Sequence, residues 1–149
     1  MRAFDHDYVS EVIARAGRVK PDARAVSGIM TRNEMLDRLA GCIRMAMGSA
    51  LIGPDASTWF SRSILRPLVL HGFIPLPRAA EMLCPVPAGA QPNHVDLETL
   101  HALLETYLDR VHTGDLVSSR HPIFGEIGID GWARLHVVHF ERLLRRFGV

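Results

Sequence analysis

The C-terminal stretch, residues 121–149, constrains the fold more than any other part of the chain. Apolar and aromatic residues recur in it at spacings of three and four, which places them on one broad face of a helix that begins near Asp130. His136 and His139 lie on the same face, where their Cβ atoms are about 5–6 Å apart. The pattern therefore predicts a helix whose apolar face presents two imidazoles to one site. The members of this face are Trp132, His136, His139, Phe140, Leu143, Leu144 and Phe147.

Two further helices are predicted in the N-terminal third of the chain. Residues 5–16 place their apolar side chains on one helical face, and Gly17 is a plausible terminator. Thr31 and Glu34 have the spacing of a capping box, in which each side chain satisfies a backbone N–H of the first turn. We expect the second helix to run from there to about Met47.

A third amphipathic helix follows a long, proline-rich connection. Asp96 is its predicted N-cap, and the helix is expected to end near Gly114. The connection, residues 49–96, is interpreted as a crossover with a short helix at 57–65 that Pro67 stops or kinks. Such a long connection allows the second and third helices of a bundle to run in the same direction. The fold class predicted is all-α, with one short extra helix in the crossover.

Composition sets the outer bounds. With 149 residues, 48% of them hydrophobic and 22% charged, the chain is expected to form a single domain, residues 1–149. A net charge of +1 argues against nucleic acid or an anionic membrane as a partner. Cys42 and Cys84 have no pairing motif, and neither a leader nor a membrane span is recognisable, so we expect a cytoplasmic protein with reduced thiols.

The C-terminal residues resemble a known group of proteins. They are similar to the C-terminal signature of uncharacterised DinB-like proteins within the DinB/YfiT-like superfamily. The residues that match are His121, Pro122, Phe124, Gly125, Trp132, Leu135, His136, His139, Arg146, Phe147 and Gly148.

The second predicted helix also resembles this family. The match extends the resemblance over most of the chain from about Gly28 onward. In the family pattern a histidine occupies the position of Arg38. The matching residues are Gly28, Ile29, Met30, Thr31, Glu34, Met35, Leu36, Leu39, Ala40 and Gly48.

The resemblance implies a DinB-like four-helix bundle that, in many relatives, binds a divalent metal through one histidine of the second helix and two of the fourth. This chain departs from that pattern at Arg38, and it has Arg142 and Leu143 where relatives have a histidine pair. A guanidinium has no lone pair to give and repels a metal cation. We therefore expect the inherited metal site to be lost and no cofactor to be present. If a metal such as zinc or nickel is bound, His136 and His139 are the remaining ligands.

Arg38 and Cys42 are one turn apart on the second helix, and Arg38 has two interpretations. In the first interpretation, its aliphatic stem packs along the bundle and its guanidinium reaches water or a carboxylate. In the second, its guanidinium faces His139 and is the positive centre for an anionic ligand. Cys42 is the one candidate nucleophile with a potential base, His136 or His139, although a buried helical cysteine is ordinarily a small hydrophobe. The candidate pocket residues are Arg38, Cys42, His121, Trp132, His136 and His139.

Three functional hypotheses follow. The first, which we favour, is a metal-free pocket for a small molecule, with an anion as one option. The second is a metal-dependent enzyme of the thiol transferase or isomerase type, built on His136, His139 and Cys42. The third is an interaction module, in its simplest form a homodimer. Glu98 and His101 have the spacing of a di-iron motif, but a single copy favours a solvent-facing helix surface.

Overall fold

A computed structural model describes residues 2–26, 28–49, 57–71, 73 and 94–149. Within these ranges the prediction of an all-α protein is confirmed: the regular elements are helices, accompanied by two isolated β-bridges. None of the helices in the described ranges is long and apolar enough to cross a membrane. The helices are α1 (His6–Arg18), α2 (Arg32–Ala46), a π-helical segment (Ser61–Leu65) that continues into α3 (Arg66–Leu70), α4 (Leu97–Thr113) and α5 (Gly128–Arg145).

Helix α2 packs against two of the longer helices. It contacts both α4 and α5, while α1 contacts the same two helices from another side and α3 packs on α5. Because α2 has neighbours on several sides, its buried residues include consecutive positions, such as 39–43, rather than a single stripe. Burial of apolar surface between these helices is the main source of stability.

The predicted caps of α2 and α4 are confirmed, and α1 has a cap that was not predicted. Asp5 accepts a hydrogen bond from the backbone N–H of Tyr8, and Asp96 accepts one from the backbone N–H of Thr99 at 2.7 Å. Both halves of the predicted capping box at the start of α2 are present. Gly114 ends α4 with a φ of 77°, a left-handed conformation that glycine adopts without strain.

Two predicted helix ends were wrong. Gly17 does not terminate α1, which continues to Arg18. A Cβ at Gly17 would lie 3.3 Å from Leu97 Cδ2, so the glycine allows α1 and the start of α4 to approach closely. The last helix begins at Gly128 rather than near Asp130, which lies inside its first turn.

Residues 57–71 and 73 of the crossover are described, and the helix in this part continues beyond residue 65, its predicted end. Pro67 does not stop the helix, which continues to Leu70. The proline lies in the first turn of α3, directly after the π-helical segment, so its missing N–H leaves a carbonyl of that segment without an intrahelical donor. Residues 50–56, 72 and 74–93 of the predicted crossover, which include Cys84, lie outside the described residues.

Candidate functional site

A buried thiol and a buried imidazole meet where α2 packs against α5. Cys42 Sγ lies 3.4 Å from Nδ1 of His136, and neither side chain is exposed to solvent. The contact forms because both residues belong to the faces that these two helices bury. The structure thus brings together two of the predicted site residues as a hydrogen-bonded pair.

Four aromatic rings surround His136. Trp132 and Phe140, one turn before and one turn after it on α5, have ring centroids 5.6 and 5.8 Å away. Tyr107 of α4 approaches edge-on at 5.1 Å, and Phe4, which precedes α1, lies at the same centroid distance on another side. The imidazole therefore lies in an apolar, aromatic cage formed by two helices and the N-terminal segment.

The cage determines the charge of the imidazole. Burial, reinforced by the neighbouring imidazoles of His139 and His121, lowers the pKa of His136 to about 3. His136 is accordingly uncharged at physiological pH, so the Cys42 sulfur contacts a neutral imidazole.

Cys42, Tyr107, His136 and His139 are here called the cluster. Several of its polar atoms have no hydrogen-bond partner in the described part of the chain. They are Oη of Tyr107, Nε2 of His136 and both ring nitrogens of His139. Each unpaired buried polar atom destabilises a folded protein by about 1–3 kcal/mol. Burial raises the pKa of Tyr107, whose ring packs edge-on against His136. The arrangement offers hydrogen-bonding capacity in a place shielded from water.

His121 and Trp132 form a wall beside the cluster. Nδ1 of His121 accepts hydrogen bonds from the backbone N–H groups of Ile123 and Phe124, at 3.1 and 3.2 Å. These bonds assign the ring proton to Nε2. The Trp132 indole packs against the His121 ring and donates to the carbonyl of Ser119 at 2.8 Å. Both side chains are thus anchored by the loop that precedes α5.

Arg38 lies on α2, one turn before Cys42, and is half-buried. Its stem is therefore packed against the protein, as both interpretations of this residue require. The orientation of the guanidinium toward His139 stays a prediction. The adjacent Asp37 has a separate role, because it accepts a hydrogen bond from the Val95 backbone at 2.8 Å just before α4.

The described residues do not fit a metal ion. Within the described ranges, no group of three or more histidine, cysteine, aspartate or glutamate side chains is arranged to hold one. The Glu98 and His101 side chains are exposed on α4, as expected for a solvent-facing surface. His101 lies 3.6 Å from Glu105, which also pairs with His6 of α1 at 2.8 Å.

Two residues at this site were missed from the sequence. Tyr107 belongs to the apolar stripe of α4, where a periodic pattern marks it only as a core residue, although a buried tyrosine hydroxyl usually needs a partner. Phe4 precedes the first predicted helix, and no periodic pattern includes it. A tyrosine within an otherwise aliphatic stripe is the signal that would have found the first of these.

Comparison with known proteins adds no relative. No protein-family model, no curated protein and no solved structure matches this chain. The resemblance to DinB-like proteins consequently stays a prediction.

Proposed function

We propose that this protein is a DinB-like four-helix bundle that binds a small polar molecule, without a metal ion, at the cluster of Cys42, Tyr107, His136 and His139. The observation on which the proposal depends is the set of buried ring nitrogens and the buried tyrosine hydroxyl that have no partner in the described ranges. Buried polar groups in native proteins are nearly always hydrogen-bonded. A bound molecule would satisfy them.

The bundle assignment is supported by the packing and by the positions of the signature residues. Helices α1, α2, α4 and α5 share one core, and a long connection separates α2 from α4. The signature residues Trp132, His136 and His139 are buried on the inner face of α5. Arg38, at the position where the family has a histidine, supports the loss of the metal.

The chemistry of the cluster suggests the kind of ligand. A neutral imidazole offers one donor and one acceptor, and a tyrosine hydroxyl offers both. The aromatic rings around His136 would pack against an apolar part of the ligand, next to the polar groups that these side chains bind. Because the pKa of His136 is about 3, this ring supplies no positive charge, and Arg38 is the residue that would select an anion.

Metal analysis is the first test. Protein purified without chelator or nickel resin should contain far less than one equivalent of zinc, nickel or iron. Stoichiometric metal that disappears in His139→Phe would overturn the proposal and favour a metal-dependent enzyme instead.

Ligand binding is the second test. Acetamide and acetate are matched neutral and anionic probes, and the ring ¹⁵N signals of His139 report on contact. We expect saturable shifts of these signals, with the exposed His112 ring as the internal control. In Arg38→Met, a preference for acetate should be lost while acetamide binding stays. Unchanged His139 signals with both probes would contradict the proposal.

A homodimer is a second candidate, because large apolar side chains are exposed near the π-helical segment. Trp59 is 73% exposed and Phe60 is 55% exposed. Exposed aromatic residues of this kind are enriched at protein interfaces. Light scattering at several concentrations tests the idea: Trp59→Ser should lower the mass if a dimer forms, and a strictly monomeric parent protein removes the hypothesis.

A further inference from the structure

Phe4 packs against His136, the imidazole of the Cys42–His136 pair, on the side of the N-terminal segment. Its ring centroid lies 5.1 Å from that of His136, 5.6 Å from that of Tyr107 and 5.8 Å from that of Phe140. The ring itself is only half-buried, whereas the pair beneath it is fully buried. Phe4 is therefore the part of the cage that lies nearest to solvent.

The segment that includes Phe4 is weakly held. It precedes the N-cap of α1 and has no helical hydrogen bonds of its own. Arg2 pairs with Glu11 and lies over the Tyr8 ring, at 5.1 Å from its centroid, but this ion pair is exposed. Exposed ion pairs contribute little to stability, so packing of a single phenylalanine ring is the main restraint.

We propose that Cys42 is a covalent attachment site for small, neutral, soft electrophiles of the α,β-unsaturated carbonyl class, and that Phe4 is the side chain that must move to admit them. The proposal rests on the binding site of the proposed function and adds a reaction to it. Two observations support it independently: the sulfur has an imidazole nitrogen within 3.4 Å, and the Tyr107 ring that packs edge-on against this imidazole has a buried hydroxyl without a partner in the described ranges.

The addition balances without a further reactant. The sulfur of Cys42 forms a bond to the β-carbon while the π bond of the alkene breaks. The thiol proton passes to Nδ1 of His136 and from there to the α-carbon of the adduct. The Tyr107 hydroxyl donates a hydrogen bond to the carbonyl oxygen, on which negative charge develops.

The covered state explains why this thiol would be inert until Phe4 moves. Desolvation makes His136 a poor proton acceptor while the cage is closed, and it disfavours a thiolate in the same space. Movement of Phe4 lets water and the electrophile reach both groups. Phe4 therefore controls both access and reactivity.

Alkylation by N-ethylmaleimide at neutral pH, followed by intact-mass spectrometry, tests the proposal. All variants include Cys84→Ser, which leaves Cys42 as the single thiol. Phe4→Ala should react about tenfold faster than the parent or more, because labelling follows the population of open molecules. Phe73→Ala, which changes an exposed phenylalanine elsewhere, is the matched control and should react at the parental rate.

A second substitution distinguishes a chemical role of His136 from an effect on the packing of the core. In the Phe4→Ala background, His136→Asn should slow alkylation by about tenfold, because the proton acceptor is lost. A purely structural role predicts the opposite, since a loosened core reacts faster. Phe4→Leu, with its fold checked by circular dichroism, replaces Phe4→Ala if that variant is unfolded.

Equal rates for Phe4→Ala and Phe73→Ala, or faster alkylation on loss of His136, would overturn the proposal. Cys42→Ser should form no adduct, which assigns the adduct to this thiol, and probe binding measured on the parent protein keeps the covalent step separate from the proposed function. Failure of alkylation with retained probe binding refutes only the covalent step. Loss of both refutes the ligand site as well.

Discussion

Replacing His136 with phenylalanine should make the stability of this protein less sensitive to acid. Burial lowers the pKa of His136 from 6.5 to about 3, whereas in the unfolded chain the same ring regains its ordinary pKa. Between these two values the unfolded state binds more protons than the folded state. This group therefore lowers the free energy of unfolding as the pH falls below 6.5, and it has no such effect above that pH.

The magnitude follows from the distance below the unfolded-state pKa. At pH 4.5, about two pH units below it, protonation of the unfolded chain should lower the free energy of unfolding by roughly 3 kcal/mol. Phenylalanine has a similar shape, suits the aromatic cage around this position and cannot bind a proton. The loss of the Cys42 contact affects the variant equally at every pH, so it does not contribute to the slope.

Urea unfolding followed by circular dichroism at pH 8 and pH 4.5 measures the effect. The parent should lose roughly 3 kcal/mol more than His136→Phe between the two pH values. His112→Phe, a change at an exposed position of α4, is the control and should behave as the parent does. Parallel losses in the parent and His136→Phe would show that the imidazole is not held neutral by burial, and the account of the cage would be refuted.

Three further predictions concern the framework that positions the site. Thr31→Ala removes the capping box of α2 and should lower the free energy of unfolding by about 1 kcal/mol, whereas Thr106→Ala on the exposed face of α4 should cost less. Gly131→Ala should destabilise the protein by about 1 kcal/mol, because the new Cβ would lie 2.7 Å from Ile127 Cβ. This cost should exceed the gain from the better helix propensity of alanine, and a raised melting temperature would contradict it. Glu141→Gln should lower the free energy of unfolding by about 1–3 kcal/mol at neutral pH, because the carboxylate accepts a hydrogen bond from largely buried Arg15 at 2.7 Å. An unchanged urea midpoint would show that the pair contributes nothing to stability.

Local sequence patterns predicted the helices well because their causes are local. The side chains of Thr31 and Asp96 satisfy backbone groups within their own first turns, so the caps could be recognised without knowledge of the fold. The same approach was wrong at Gly17, where the glycine is explained by the close approach of Leu97 from another helix. A contact between distant segments leaves no periodic signal in either of them.

The sequence by itself determined that the chain forms amphipathic helices, and that His136 and His139 share the buried face of the last one. Only the tertiary structure decided what that face meets: the thiol of Cys42 and the rings of Tyr107 and Phe4. The physical reason is that periodicity specifies which side chains point to one side of a helix, whereas the pairing of faces depends on how several helices fill a common core.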